Sequence, residues 1–243
     1  MTRQHEFTIA ERTTGKRFCY TLVLVCLTAS LVSSTTAGEA DETGSLPLVY
    51  RDDFEHGADH WEPTDAKAWK IAERDGNRVF SLHRQSQYKP PHRSPVNIAL
   101  LKDVSLGDFV LEARVRSTIR DYGHRDMCLF FGYQDPSHFY YVHLGKKTDD
   151  HANQIFIVNA APRTKISLKT TAGTDWDDAW HDVKIVRRTT GGTIEIYFDD
   201  MKTPIMVAKD KTFLWGRVGL GSFDDTGDWD DVQIHGTVIR SKQ

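Results

Sequence analysis

The chain has 243 residues, with 31 Lys and Arg against 34 Asp and Glu and a formal charge of −3. Such a balance offers no general positive field for phosphate backbones, so no nucleic-acid partner is expected. Three cysteines, of which Cys19 and Cys26 lie near the amino terminus, exclude a disulfide scaffold and leave Cys128 as a small buried residue within an apolar run.

Residues 1–37 read as a secretory signal peptide. Scattered basic groups end in Lys16-Arg17, an apolar run follows from Phe18 to Val32, and Ser33-Ser34-Thr35-Thr36-Ala37 offers small residues for cleavage after Ala37. The alternative is an uncleaved amino-terminal anchor. Against it, the run is short for a bilayer and contains Thr21, Thr28 and Ser30. The expected location is therefore secreted or periplasmic, with no membrane span after processing. Removal of this segment takes four basic and two acidic side chains, leaving 27 against 32. The remaining length suits one well-filled domain.

Residues 38–45 (GEADETGS) form an acidic, polar lead-in, and residues 46–238 read as a single β domain with a tail at 239–243. Leu48 to Arg51 predicts an edge strand. Trp69 to Glu73 and Val79 to His83 predict a hairpin around Asp75-Gly76-Asn77. The proline-rich stretch from Gln85 to Pro95 is a loop, followed by a strand over Val96 to Lys102. Alternation is clearest from Phe109 to Ser117, where Phe109, Leu111, Ala113 and Val115 point to a core and Glu112, Arg114 and Arg116 point away. The stretch Met127 to Leu144 predicts a hairpin turning through Gln134 to His138. Both of its faces carry large side chains, which places it centrally in a sheet. One of those faces fills a core and the other forms a floor of rings and polar tips.

Further strands are predicted over Gln154 to Asn159, Lys165 to Lys169, Trp180 to Arg187, Thr193 to Phe198, Pro204 to Ala208, Arg217 to Ser222 and Asp231 to His235. Gly191-Gly192 is a hairpin turn, and GRVGLG from Gly216 lacks the βαβ setting of a dinucleotide site. Many short strands, no amphipathic helix and no repeat predict an all-β, two-layer antiparallel sandwich of jelly-roll type.

The DDFE opening with its downstream tryptophans, FGYQDPSHFYYVHL, WHDVKIVRR with GGTIEIYFDD, and GRVGLGSFDDTGDWDDVQIHG together resemble the concanavalin A-like lectin/glucanase superfamily. Within it they look closer to laminin-G-like modules and bacterial 3-keto-disaccharide hydrolase-like domains. The resemblance spans roughly residues 50 to 237. It implies glycan binding on a sheet face, in some members glycan cleavage, and in some a structural calcium ion. The Glu-x-Asp-x-x-Glu strand of the glucanases is missing, since Glu195 has no second acid on its strand before Asp199. Spacing therefore nominates no carboxyl pair for glycoside hydrolysis.

The first candidate site joins Arg114 and Arg116 with Tyr141 and His143, provided the outward faces of their strands belong to one sheet face. Tyr141 could stack on a sugar, the arginines could hold carboxylates or sulfates, and His124, Arg125, Asp126, His151 and Asn153 would contribute from loops. As a polysaccharide lyase, the same group would use an arginine to neutralise a uronate, His143 as base and Tyr141 as acid. Otherwise the arginines face solvent and Tyr141 covers the sheet. A second candidate is the acidic run from Phe223 to Asp231. Resemblance to calcium-containing sandwiches implies pairing of the first and last strands, bringing Asp52 or Asp53 to Asp230 or Asp231 around a structural calcium ion. The alternative is a solvated acidic turn anchored by Trp229. Three functional readings stay open: a glycan-cleaving hydrolase or lyase, a binding module, and a structural cell-envelope domain.

Overall fold

The computed structural model describes residues 46–240, and the expected signal segment 1–37 and lead-in 38–45 lie outside the described residues. Sixteen strands are formed among the described residues: β1 (Leu48–Asp52), β2 (Trp61–Pro63), β3 (Trp69–Arg74), β4 (Asn77–Leu82), β5 (Asn97–Leu101), β6 (Leu106–Ser117), β7 (Asp126–Asp135), β8 (His138–Gly145), β9 (Gln154–Asn159), β10 (Thr164–Lys165), β11 (Ser167–Thr170), β12 (His181–Arg188), β13 (Thr193–Phe198), β14 (Met206–Lys209), β15 (Arg217–Ser222) and β16 (Gly227–Val238). They build two antiparallel sheets. The nine-stranded sheet runs β11-β14-β13-β12-β6-β16-β4-β3, with β1 beside the second half of β16; the seven-stranded sheet runs β10-β9-β8-β7-β15-β5-β2.

Period-2 alternation explains how the layers close. Phe109, Leu111, Ala113 and Val115 of β6 face the same core as Val183 and Ile185 of β12, Ile194 and Ile196 of β13, and Val232 and Ile234 of β16. From the other sheet, Met127, Leu129 and Phe131 of β7 meet them, together with Tyr140, Val142 and Leu144 of β8. The β3–β4 hairpin turns through Asp75 and Gly76, both at positive φ (55° and 82°), as the Asp-Gly dipeptide allows. The β7–β8 hairpin sits centrally in its sheet, as expected.

The structure differs from the expected strands at three places. The run Lys165 to Lys169 is not one strand, because the chain passes between sheets at Ile166: β10 pairs with β9, and β11 with β14. The last strand starts at Gly227, four residues before its expected start, so most of the acidic run is sheet. Alternation then turns Asp228 and Asp230 outward while Trp229 enters the core. Finally, β2 is only three residues long, too short to show a pattern.

The seven-stranded sheet is buried on both sides. Away from the main core, Ile98, Leu100, Cys128, Phe130, Tyr133, Phe139, Tyr141, Phe156 and Val158 form a second apolar cluster, against which Tyr88 and Phe223 pack. Gly219 and Gly221 allow β15 to pair closely with β5 in this sheet, since a Cβ on Gly221 would lie 1.9 Å from the Asn97 carbonyl oxygen.

Candidate functional site

The structure separates the residues expected to share one face. Arg114 and Arg116 lie on β6 in the nine-stranded sheet, whereas Tyr141 and His143 lie on β8 in the seven-stranded sheet. Both pairs point away from the core between the sheets, so they occupy opposite outer faces. Alternation alone could not assign the two strands to different layers.

Tyr141 is fully buried, its ring stacked 5.0 Å from Phe156 and 6.0 Å from Phe130. The Arg163 guanidinium covers this floor, 4.2 Å from the Phe223 ring and 4.8 Å from Phe156, and donates to the Tyr141 hydroxyl at 2.8 Å. Burial pushes the Tyr141 phenol well above its ordinary acidity range. Neither sugar stacking nor proton donation by Tyr141 is supported in this arrangement. Arg114 and Arg116 instead lie against Trp180, each 5.2 Å from its ring, and Arg116 binds the buried Asp228 at 2.9 Å. Asp228 is also held by Arg74 at 2.9 Å, and these cations hold its carboxyl below the usual range against the opposing effect of burial.

The remaining expected residues gather at the end of the seven-stranded sheet where β7 and β9 begin and β8 ends. His124 and Asp149 form a 3.0 Å contact at the surface, and His151 is exposed. Arg125 is buried, bound to the Ser117 carbonyl and to Asp178 at 2.9 Å, and Asn153 is buried among Thr148, Thr170 and Thr171. His143 is 4% exposed, with Nδ1 accepting from the Asn153 amide at 3.4 Å and Nε2 3.6 Å from Asp126. Burial, then the charges of Arg163 and His124, push its pKa down to about 3, which keeps it neutral. Asp126 moves the other way, raised by burial and by the Asp225 charge.

The expected calcium ligands do not form the acidic cluster. The first and last strands do pair, with Asp52 opposite Val232. Yet Asp52 accepts from Phe54 and Trp61, Asp230 from Asn77 at 2.7 Å, and Asp231 sits 3.4 Å from Arg114; the exposed Asp53 accepts from the Glu55 amide. Among the described residues, the carboxylates that converge are Asp126, Asp224 and Asp225, whose oxygens lie within 4.8 Å of one another. They could hold a metal ion, although Asp225 already accepts from Tyr122 at 2.7 Å and from the Asp126 amide at 2.9 Å. The acidic run of the sequence pointed to this neighbourhood; the partner from β7 was hidden by its distance along the chain.

An open groove lies at the opposite end of the seven-stranded sheet. It encloses about 960 Å³ beside Glu62, Lys102, Trp215 and Arg217, and adjoins a smaller hollow of about 360 Å³ that shares Glu62 and Arg217. Trp215 is 47% exposed on a segment fixed from several directions. Buried Arg187 donates to the carbonyls of Gly192, Asp210 and Phe213, and the Phe213 amide donates to the Tyr140 hydroxyl at 2.9 Å. Gly216 exchanges backbone bonds with Leu106, and a Cβ there would lie 2.2 Å from the Gly132 carbonyl carbon. Gln134 donates to the Trp215 carbonyl at 3.2 Å. Arg217 is oriented by the Leu101 carbonyl at 2.9 Å and pairs with Glu62 at 2.6 Å. Sequence reasoning missed this site; an apolar Leu214-Trp215 pair placed between loop residues and Gly216 was the available signal.

No protein-family model and no curated protein matches the sequence significantly. Solved structures do match in fold. A carbohydrate-binding module, CBM66 from Bacillus subtilis, superposes with a TM-score of 0.54 at 17% identity, over 73% of this chain and 96% of that one. Domain 4 of AbnA, a GH43 extracellular arabinanase from Geobacillus stearothermophilus in complex with arabinotriose, gives 0.53 at 12% identity, over 80% and 95%. The winged bean acidic lectin complexed with methyl-α-D-galactose gives 0.50 at 12% identity, over 79% and 98%. At these identities the likeness is one of fold. The chain shares with these structures a two-layer antiparallel β-sandwich.

Proposed function

We propose that this protein is a secreted or periplasmic glycan-binding module. The observation that carries the reading is the fold, shared over nearly the full length of a carbohydrate-binding module. Binding is favoured over cleavage because the candidate lyase group is divided between opposite faces, with His143 and Tyr141 buried. Of the three acids that approach one another, Asp126 and Asp225 are buried and only Asp224 is exposed, so the cluster offers no exposed pair to flank a glycosidic bond. The acidic cluster is assigned a structural role, with calcium as the cation that its oxygen donors would suit. Export is supported by the order of basic, apolar and small segments at the amino terminus. Among the described residues no helix is long and apolar enough to cross a membrane.

A panel of neutral and acidic polysaccharides, read by calorimetric binding and by release of reducing ends or unsaturated product, tests this function. Binding without turnover is the expected result. Product formation would require an enzyme, and absence of binding by well-folded protein would favour a structural cell-envelope domain.

A further inference from the structure

Resting on the glycan-binding reading, we infer that the groove beside Trp215 is the binding site, and that its ligand is an uncharged polysaccharide segment stacked on that indole. Three features converge there. The first is an apolar platform held ready for a ring. Trp215 keeps nearly half of its surface exposed while its backbone is fixed through Gly216 and Gln134 and the preceding loop through Arg187. Contact with a flat apolar face therefore requires little ordering of the protein, which is the condition under which an exposed aromatic serves as an anchor.

The second feature is a paired donor and acceptor. Neighbouring sugar hydroxyls each donate and accept, and the Glu62–Arg217 pair offers a carboxylate beside a guanidinium whose orientation is set by the Leu101 carbonyl. The third is charge. The acids Glu62, Asp103 and Asp135 are matched by Lys102, Arg217 and Arg240 across the groove and its adjoining hollow, so the formal charge is zero. A uronate or sulfate polymer gains no net attraction from this lining, whereas a neutral chain leaves the Glu62–Arg217 pair intact. The volume of about 960 Å³ falls near the upper end of the roughly 300–1,000 Å³ range of small-ligand pockets.

The test titrates the full chain with arabinan, xylan, β-glucan and galactan, and with polygalacturonate as the charged counterpart. At least one neutral polymer binds, and its affinity changes little with salt. Trp215→Ala weakens binding about thirtyfold or more, the effect of removing a central aromatic anchor, and Glu62→Gln weakens it by about tenfold. Circular dichroism and Tm establish that both variants fold. Trp180→Ala, outside the groove beside Arg114 and Arg116 on the outer face of the nine-stranded sheet, leaves the affinity unchanged.

Full binding by folded Trp215→Ala, or loss on Trp180→Ala instead, would overturn the groove assignment while leaving glycan binding standing. Preference for polygalacturonate would overturn the neutral class. A dimer dissolved by Trp215→Ala, with no effect of that variant on sugar affinity, would reassign the groove to self-association. Failure of every polymer to bind would remove both this proposal and the function on which it rests.

Discussion

Asp228→Asn tests the electrostatics of the nine-stranded sheet. Asp228 is completely buried and accepts from Arg116 of the adjacent β6 and from Arg74 of β3, which lies beyond β4, each at 2.9 Å. The asparagine preserves size but removes the charge on which both guanidiniums depend. Breaking a buried ion pair costs about 3–5 kcal/mol, and the partial exposure of the arginines, 34% and 20%, lowers that expectation to about 2–4 kcal/mol. For a domain of this size the loss corresponds to a fall in Tm of roughly 4–16 °C. Urea unfolding of both proteins from neutral to acidic pH reads the charge directly. Because the native pKa of Asp228 lies below its unfolded value, its contribution is present above the ordinary aspartate range and disappears as pH falls through the native pKa. The two stability curves should therefore converge in acid. A gap independent of pH would refute the charge argument and assign the loss to packing. No gap at neutral pH would show that the two bridges contribute nothing net.

With Asp126, Asp224 and Asp225 holding a cation, calcium at a hundredfold excess over Kd should stabilise the fold by about 2.7 kcal/mol and raise Tm relative to chelator; superimposable scans would assign the cluster to hydrogen bonding alone. Gly221→Ala should destabilise the protein by at least 1–3 kcal/mol, because the added methyl meets backbone oxygen rather than a movable side chain, and unchanged denaturation would contradict the close sheet contact. Cys128 is fully buried and its thiol is pushed up by burial, so a thiol reagent should modify it only after unfolding; rapid labelling of folded protein would show that the outer cluster opens.

The layers were readable where one face meets a core and the other meets water. Phe109 through Ser117 alternates cleanly for that reason, and its inward residues take the places their pattern requires. Around β7 and β8 the pattern loses this contrast because both faces are covered. Sheet membership was a further ambiguity: β6 and β8 both present polar tips, yet long-range pairing places those tips on opposite sides of the domain. Arg163 and Arg187 were unreadable as structural residues for a related reason. Their binding partners, respectively Tyr141 and carbonyls reaching to Phe213, come from other parts of the chain, and a charged letter in sequence does not reveal that its head group will be enclosed.

The second cover over the seven-stranded sheet has a consequence for motion. An amide on β7 or β8 cannot meet solvent by the lifting of one layer, because apolar side chains close the sheet from both directions. Its exchange with deuterium requires cooperative opening of most of the domain, since release of the outer segments carrying Tyr88, Arg163 and Phe223 leaves the inner core and the strand pairing in place. The edge strands β10 and β11 have shorter ladders and more exposed side chains. Exchange should consequently proceed inward from those edges, with the central aromatic hairpin retaining its protons longest and reporting the global unfolding free energy.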